Sequence, residues 1–229
     1  MSTPVVLITG ASGGLGTAVT EAFLASGALV AGSSRRIAAD AFPHANFRAF
    51  PADLSDPMQA LKLADAVVAA HGRIDALVHV TGGFSGGKPV HETDDALWDQ
   101  MFSVNLRAAL NIFRAVVPHM RHAKSGRIVA IGSRAGVEPA ANIAAYSASK
   151  AALVSLVKTV ALENRDLGIT ANTILPGTID TAANREWGTA EDRAKWVSPE
   201  RLAALAVFLT SDAAAEITGA AIPVYGAGL

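Results

Sequence analysis

Seven short apolar runs alternate with longer helical patterns, and this alternation restricts the chain to few architectures. The runs span 5–8, 28–31, 46–50, 75–80, 127–131, 170–175 and 221–224. They are continuous rather than alternately apolar and polar, which is how strands read when helices cover both faces of their sheet. Helical candidates span 14–26, 57–71, 93–122, 146–166 and 199–210, the third being one long helix or two abutting ones. Asp56-Pro57 and Ser198-Pro199 each put a capping side chain before a first-turn proline. Gly27 stands where a left-handed cap closes a helix, and two other helices end near Gly72 and Gly168. The expectation is a doubly wound parallel α/β sheet of about seven strands with helices on both faces. Of the 229 residues 51% are hydrophobic, enough for a sizeable core. No linker, repeat or charge block divides the chain, so one domain is expected over 1–229.

The first run leads straight into a glycine-rich turn, PVVLITGASGGLG at 4–16, and then a helix. Gly10 can turn tightly, Gly14 lets backbone approach a pyrophosphate, and Gly16 lets helix and strand pack closely. The helix N-terminus presents free N–H groups to phosphates. A glycine pattern alone also serves as a plain connector. Placed between strand and helix, it points to a Rossmann-type dinucleotide site formed by Gly10, Ser12, Gly13, Gly14, Leu15 and Gly16.

Cofactor choice is read at the end of the second run, where a carboxylate selects NAD by binding the ribose 2′-OH. Here the residues are Ser33-Ser34-Arg35-Arg36. Ser34, Arg35 and Arg36 suit a 2′-phosphate, so NADP(H) is expected over NAD(H); the competing reading is solvated loop charge. Asp53, followed by Leu54, is a candidate for the adenine amino group or an ordinary turn former.

Tyr146 and Lys150 stand at i and i+4 in YSASK, on one helix face. A nearby ammonium favours phenolate, so Lys150 is expected to lower the Tyr146 pKa and make it a general acid or base. The spacing alone is common. It gains weight because the fifth run ends in Gly132-Ser133, at the carboxyl end of a strand where ligand crevices form.

These segments stand in a fixed order: TGASGGLG at 9–16, IDALV at 74–78, VNL at 104–106, IVAIGS at 128–133, YSASK at 146–150, LPGTIDT at 175–181 and FLTSDAAAEITG at 208–219. Together they resemble the short-chain dehydrogenases/reductases over essentially the whole chain. The resemblance implies that Ser133 orients the substrate carbonyl, Tyr146 transfers the proton, and Lys150 assists it and holds the nicotinamide ribose. It implies that the Asn105 backbone carbonyl positions a relay water. Gly82, Gly83, Pro176, Gly177, Ile179 and Thr181 would border the nicotinamide. It also implies a substrate lid at about 181–197 carrying Trp187 and Trp196, either touching substrate or packing on the core. Phe84 and Arg134 lie opposite, the arginine facing an anionic group or solvent. Family members bury the two long helices between subunits, and 146–166 is apolar nearly all round, so a homotetramer is expected.

Three stretches depart from the family pattern. His79-Val80-Thr81-Gly82 replaces Asn-Asn-Ala-Gly, with His79 read as a hydrogen-bonded structural residue. The segment around Gly82–Gly87 and LPGTIDT resemble the dihydropteridine reductases, making a quinonoid pterin the alternative substrate; Ser133 and the paired arginines argue for an ordinary carbonyl or alcohol. Val224-Tyr225-Gly226-Ala227 replaces Val-Asp-Gly-Gly.

Composition excludes other classes. A net charge of −1 gives no electrostatic reason to expect nucleic acid or an acidic membrane. With no cysteine there is no thiolate chemistry or disulfide framework. No apolar stretch reaches transmembrane length, and the uncharged start lacks a basic signal region. The expected setting is cytoplasmic, the partner a small molecule, with no metal. A non-catalytic dinucleotide sensor is the competing class, which retention of Ser133, Tyr146 and Lys150 disfavours.

Overall fold

The computed structural model describes residues 3–227. β1 (Val5–Thr9), β2 (Leu29–Ser33), β3 (Phe47–Ala49), β4 (Ala76–His79), β5 (Gly126–Ile131), β6 (Ile169–Pro176) and β7 (Ala221–Val224) form one sheet, ordered β3-β2-β1-β4-β5-β6-β7. All neighbouring pairs are parallel. On one face lie α1 (Gly14–Ala25) and α8 (Pro199–Leu209); on the other lie α2 (Pro57–His71), α4 (Ala108–Ala123) and α5 (Ala144–Asn164). α3 (Asp95–Phe102) precedes α4, while α6 (Ala182–Arg185) and α7 (Ala190–Ala194) occupy the segment between β6 and α8.

Both sheet faces are covered, which explains the continuous apolar runs. Val5, Leu7, Leu77 and Ile128 enter the core under α2, α4 and α5. Their neighbours Val6, Ile8, Val78 and Val129 enter the core under α1 and α8. Every residue of β1, β4 and β6 is buried, whereas the edge strands β3 and β7 are only partly so. The cap signals act as the sequence implies. Asp56 accepts the Met58 amide, Ser198 accepts the Arg201 amide, and Gly27 and Gly72 take φ of 85° and 81°.

The region 93–122 resolves into two helices joined by a π turn, Ser103–Arg107, in which the Ala108 amide bonds back to Ser103. The extra residue turns Asn105 inward, where it is fully buried. Strand order reverses between β1 and β4, so the carboxyl ends of these two strands open the crevice expected of such sheets. Among the described residues, no helix is long and apolar enough to cross a membrane.

Candidate active site

A cleft of about 1420 Å³ runs along the carboxyl ends of the strands. At one end lies the glycine turn, with Gly10, Ser12, Gly13, Gly14, Leu15 and Gly16 all on its wall. Gly10 has φ of 69°, and a Cβ there would meet the Thr81 amide nitrogen at 2.8 Å. Gly13, the N-cap of α1, supplies no side-chain cap, and the first turn holds no acidic residue. The leading amides of α1 therefore face the cleft without a side-chain acceptor, a positive helix end suited to pyrophosphate. These residues fit a dinucleotide.

The end of β2 borders the same space. Ser34 Oγ accepts the Ser12 amide at 3.2 Å, tying β2 to the glycine turn. Arg35 lines the cleft, and its neighbour Arg36 is exposed beside it. Ser33, the other hydroxyl at the end of β2, is buried on this wall, and its hydroxyl has no protein partner. Asp53 and Leu54 also line the cleft. Asp53 accepts the Ser55 amide at 2.9 Å and hydroxyl at 2.8 Å, and these bonds hold its carboxyl below the usual range. It is a turn former on the cleft wall. Thr181 lies against the glycine turn. Its side chain would lie 3.0 Å from a Cβ on Gly14, so it backs the glycine turn while capping α6.

Ser133, Tyr146 and Lys150 converge on the middle of the cleft. Ser133, two residues past β5, caps the turn Arg134–Gly136 by accepting the Ala135 amide at 3.2 Å. From there it favours the anionic form of the Tyr146 phenol. Lys150, buried one helical turn on, donates to the Ile131 carbonyl at 2.9 Å. Burial lowers its pKa to about 8. The expected depression of the Tyr146 pKa is reversed in the protein alone: burial pushes the phenol above its ordinary value, opposed by the Ser133 hydroxyl. Desolvation of the anion dominates, while the Lys150 ammonium is engaged at the Ile131 carbonyl.

Asn105 serves this centre with its side chain. Its Oδ1 accepts the Gly83 amide at 2.9 Å, and its Nδ2 donates to the Gly83 carbonyl at 3.0 Å and to Ser149 Oγ at 3.1 Å. Ser149 in turn donates to the Tyr146 carbonyl at 2.7 Å. One carboxamide thus joins the loop after β4 to the start of α5. Gly82 fits closely above it, since a Cβ would lie 3.0 Å from Asn105 Oδ1 and 3.1 Å from Lys150 Nζ. Gly82, Gly83, Pro176, Gly177 and Ile179 line the cleft.

The other end of the cleft is aromatic. Phe84 is 67% exposed and meets the Tyr146 ring edge-on, centroids 5.0 Å apart. Trp187 and Trp196 pack together at 5.3 Å, Trp187 remaining 66% exposed on the wall. The segment bearing them is closed at its base by an Ile179–Val197 bridge. Arg134 is partly exposed and already partnered: its Nε donates to Glu138 at 2.7 Å and its guanidinium lies over the Tyr225 ring at 4.8 Å.

The family model for short chain dehydrogenase matches residues 4–192. This chain is a short-chain dehydrogenase. It is 36% identical to the short chain dehydrogenase ausX of Penicillium brasilianum, over 97% of this chain and 95% of that protein. The solved structure of ElxO with NADP bound superposes with a TM-score of 0.92 at 25% identity, covering 98% of each chain. Levodione reductase superposes with a TM-score of 0.91 at 27% identity, covering 100% of this chain and 98% of that one.

Against that family pattern, the histidine of this short-chain dehydrogenase finds a structural explanation. His79 is fully buried, with Nδ1 2.9 Å from Thr9 Oγ1 on the paired strand and its ring edge-on to Phe113. Burial, with Lys150 adding to it, lowers its pKa to about 3. The folded protein therefore keeps His79 neutral where the unfolded chain, near 6.5, takes up a proton. Protons then favour unfolding, and stability falls as pH drops from about 6.5 toward 3. Over that window His79→Asn should lose stability more slowly than wild type, by up to about 1.4 kcal/mol per pH unit, measured by urea denaturation across pH. Parallel slopes would mean that His79 does not titrate on unfolding.

Glu138 and Tyr225 are site residues that sequence reading passed over. Glu138 carried a usable signal, four residues after Arg134 on a turn; Tyr225 showed only as a departure from the family's Asp.

Proposed function

We propose that this short-chain dehydrogenase is an NADP(H)-dependent carbonyl reductase or alcohol dehydrogenase, acting on CH–OH or C=O. The observation that carries the reading is the convergence of Ser133, Tyr146 and Lys150 on the cleft that the glycine turn opens. When bound, the nicotinamide supplies or takes up the hydride. The chain's own groups manage the oxygen. Ser133 donates a hydrogen bond to the substrate oxygen and fixes its position. Tyr146 gives that oxygen its proton on reduction, or takes it on oxidation. Lys150, one turn away, would hold the nicotinamide ribose and bring a positive charge that favours the phenolate. Asn105 keeps the loop after β4 and α5 in register, and its backbone carbonyl holds a relay water. Residues 181–197 cover the substrate.

Arg35 supports NADP(H), as does the similarity to ElxO, whose structure holds NADP. A carbonyl substrate is consistent with a second neighbour named as a reductase of a dione. Copies of the chain associate in a tetramer through α4 and α5, a reading supported by Leu162, 61% exposed on α5.

The test is NADPH and NADH oxidation against a panel of ketones, quinones and quinonoid pterins. Ketone turnover supports the reading. Turnover confined to the pterin arm would move it to the dihydropteridine reductases, and tight NADPH binding with no turnover would move it to a sensor. Arg35→Ala should weaken NADPH binding about tenfold more than NADH binding, the scale of one charge-assisted hydrogen bond. Equal loss for both would leave the 2′-phosphate without its proposed partner.

A further inference from the structure

Four ionic side chains line the end of the cleft beyond Tyr146: Arg134, Glu138, Asp192 and Lys195. Each is already matched within the protein. Arg134 pairs with Glu138 across one turn. Asp192 accepts the Thr189 amide and hydroxyl in a capping box. Lys195 Nζ lies 3.4 Å from Glu191. Between these charges stand the rings of Phe84, Trp187, Trp196 and Tyr225.

Tyr225 is held from both sides by backbone. The Gly177 amide donates to Val224 at 3.0 Å, and the Ala227 amide donates to the Lys195 carbonyl at 3.1 Å. Gly226 takes φ of 72°, and a Cβ there would lie 2.4 Å from the same carbonyl. The Tyr225 ring is thereby fixed under the Arg134 guanidinium. Burial and the Glu138 carboxylate both push its phenol pKa up, so it stays uncharged.

We propose that Glu138 and Tyr225 are specificity-determining residues: they engage Arg134, so the chamber takes neutral, ring-bearing carbonyl compounds and discriminates against carboxylated ones. The inference rests on the reductase reading above. A guanidinium without an acidic partner in an aromatic chamber would capture a carboxylate in a bidentate pair. With Glu138 on it, an incoming carboxylate must displace one anion while meeting its charge, a repulsive element that rejects the wrong substrate. The surrounding rings favour an apolar cyclic body.

The experiment compares 4-methylcyclohexanone with 4-oxocyclohexanecarboxylate, using NADPH, in wild type and in Glu138→Gln. The ratio of kcat/KM for the carboxylated over the neutral ketone should rise about tenfold in the variant. The double variant Arg134→Met, Glu138→Gln should return the ratio to the wild-type level. An unchanged ratio in a Glu138→Gln protein with wild-type thermal midpoint overturns the proposal. Titration of each ketone into the NADPH complex, followed by tryptophan fluorescence, gives the same ratio as affinities. If neither ketone is turned over, the reductase reading is decided separately, by the wider ketone panel above. The affinity ratio still decides the proposal: a gain in Glu138→Gln sustains it, and no gain overturns it.

Discussion

Tyr146→Phe is expected to lower turnover by about 10³-fold while leaving NADPH affinity nearly intact. The substitution removes one oxygen. The ring keeps its place against Phe84, and the backbone carbonyl keeps its bond from Ser149. What disappears is the proton and the group whose anionic form Ser133 favours. Lys150 stays anchored on Ile131 and cannot take over, because its ammonium is one turn away and committed. Steady-state NADPH oxidation gives the first quantity and fluorescence titration of NADPH the second. Turnover near wild type would remove Tyr146 from the proton path. Loss of NADPH affinity in step with turnover would make it a binding residue instead.

Gly16→Ala is expected to have the largest effect on the folded protein. A Cβ at Gly16 would lie 1.9 Å from the Gly10 carbonyl oxygen and 2.8 Å from its carbon. Both are backbone atoms of the turn itself, so no flexible side chain can give way. Either α1 moves off β1 or the turn opens, and both destroy the cradle of amides. Destabilisation of about 3 kcal/mol, with NADPH binding lost, is the scale of overpacking at a rigid site. The urea midpoint measures the first, and titration of NADPH the second. A variant matching wild type in both would show that the turn is not packed as described.

Much of this was legible because it is local. A strand covered on both faces must be apolar throughout, and caps act within a turn, so runs and helix ends could be read directly. β7 was bounded to the residue. Features set by distant partners could not be read. The π turn at Ser103–Arg107 is coupled to Asn105 reaching Gly83 and Ser149, 22 and 44 residues away. The direction of the Tyr146 shift depends on how deeply α5 buries it, which i,i+4 spacing does not encode. Ser133, Tyr146 and Lys150 were found because strand ends and helix faces are themselves predictable, and the structure brings them to one place.

The wall beyond Tyr146 has a further consequence. It is assembled from separate segments: Phe84 after β4, the turn from Arg134 to Glu138 after β5, the stretch bearing Trp187 and Trp196 after β6, and Tyr225 after β7. None of these side chains belongs to a strand of the sheet, whereas the glycine turn, Ser133 and Lys150 are tied to its strands. Each segment can therefore vary by drift or insertion without disturbing the hydride-transfer frame. Such a layout lets a lineage exchange its targets one loop at a time while inheriting its chemistry whole.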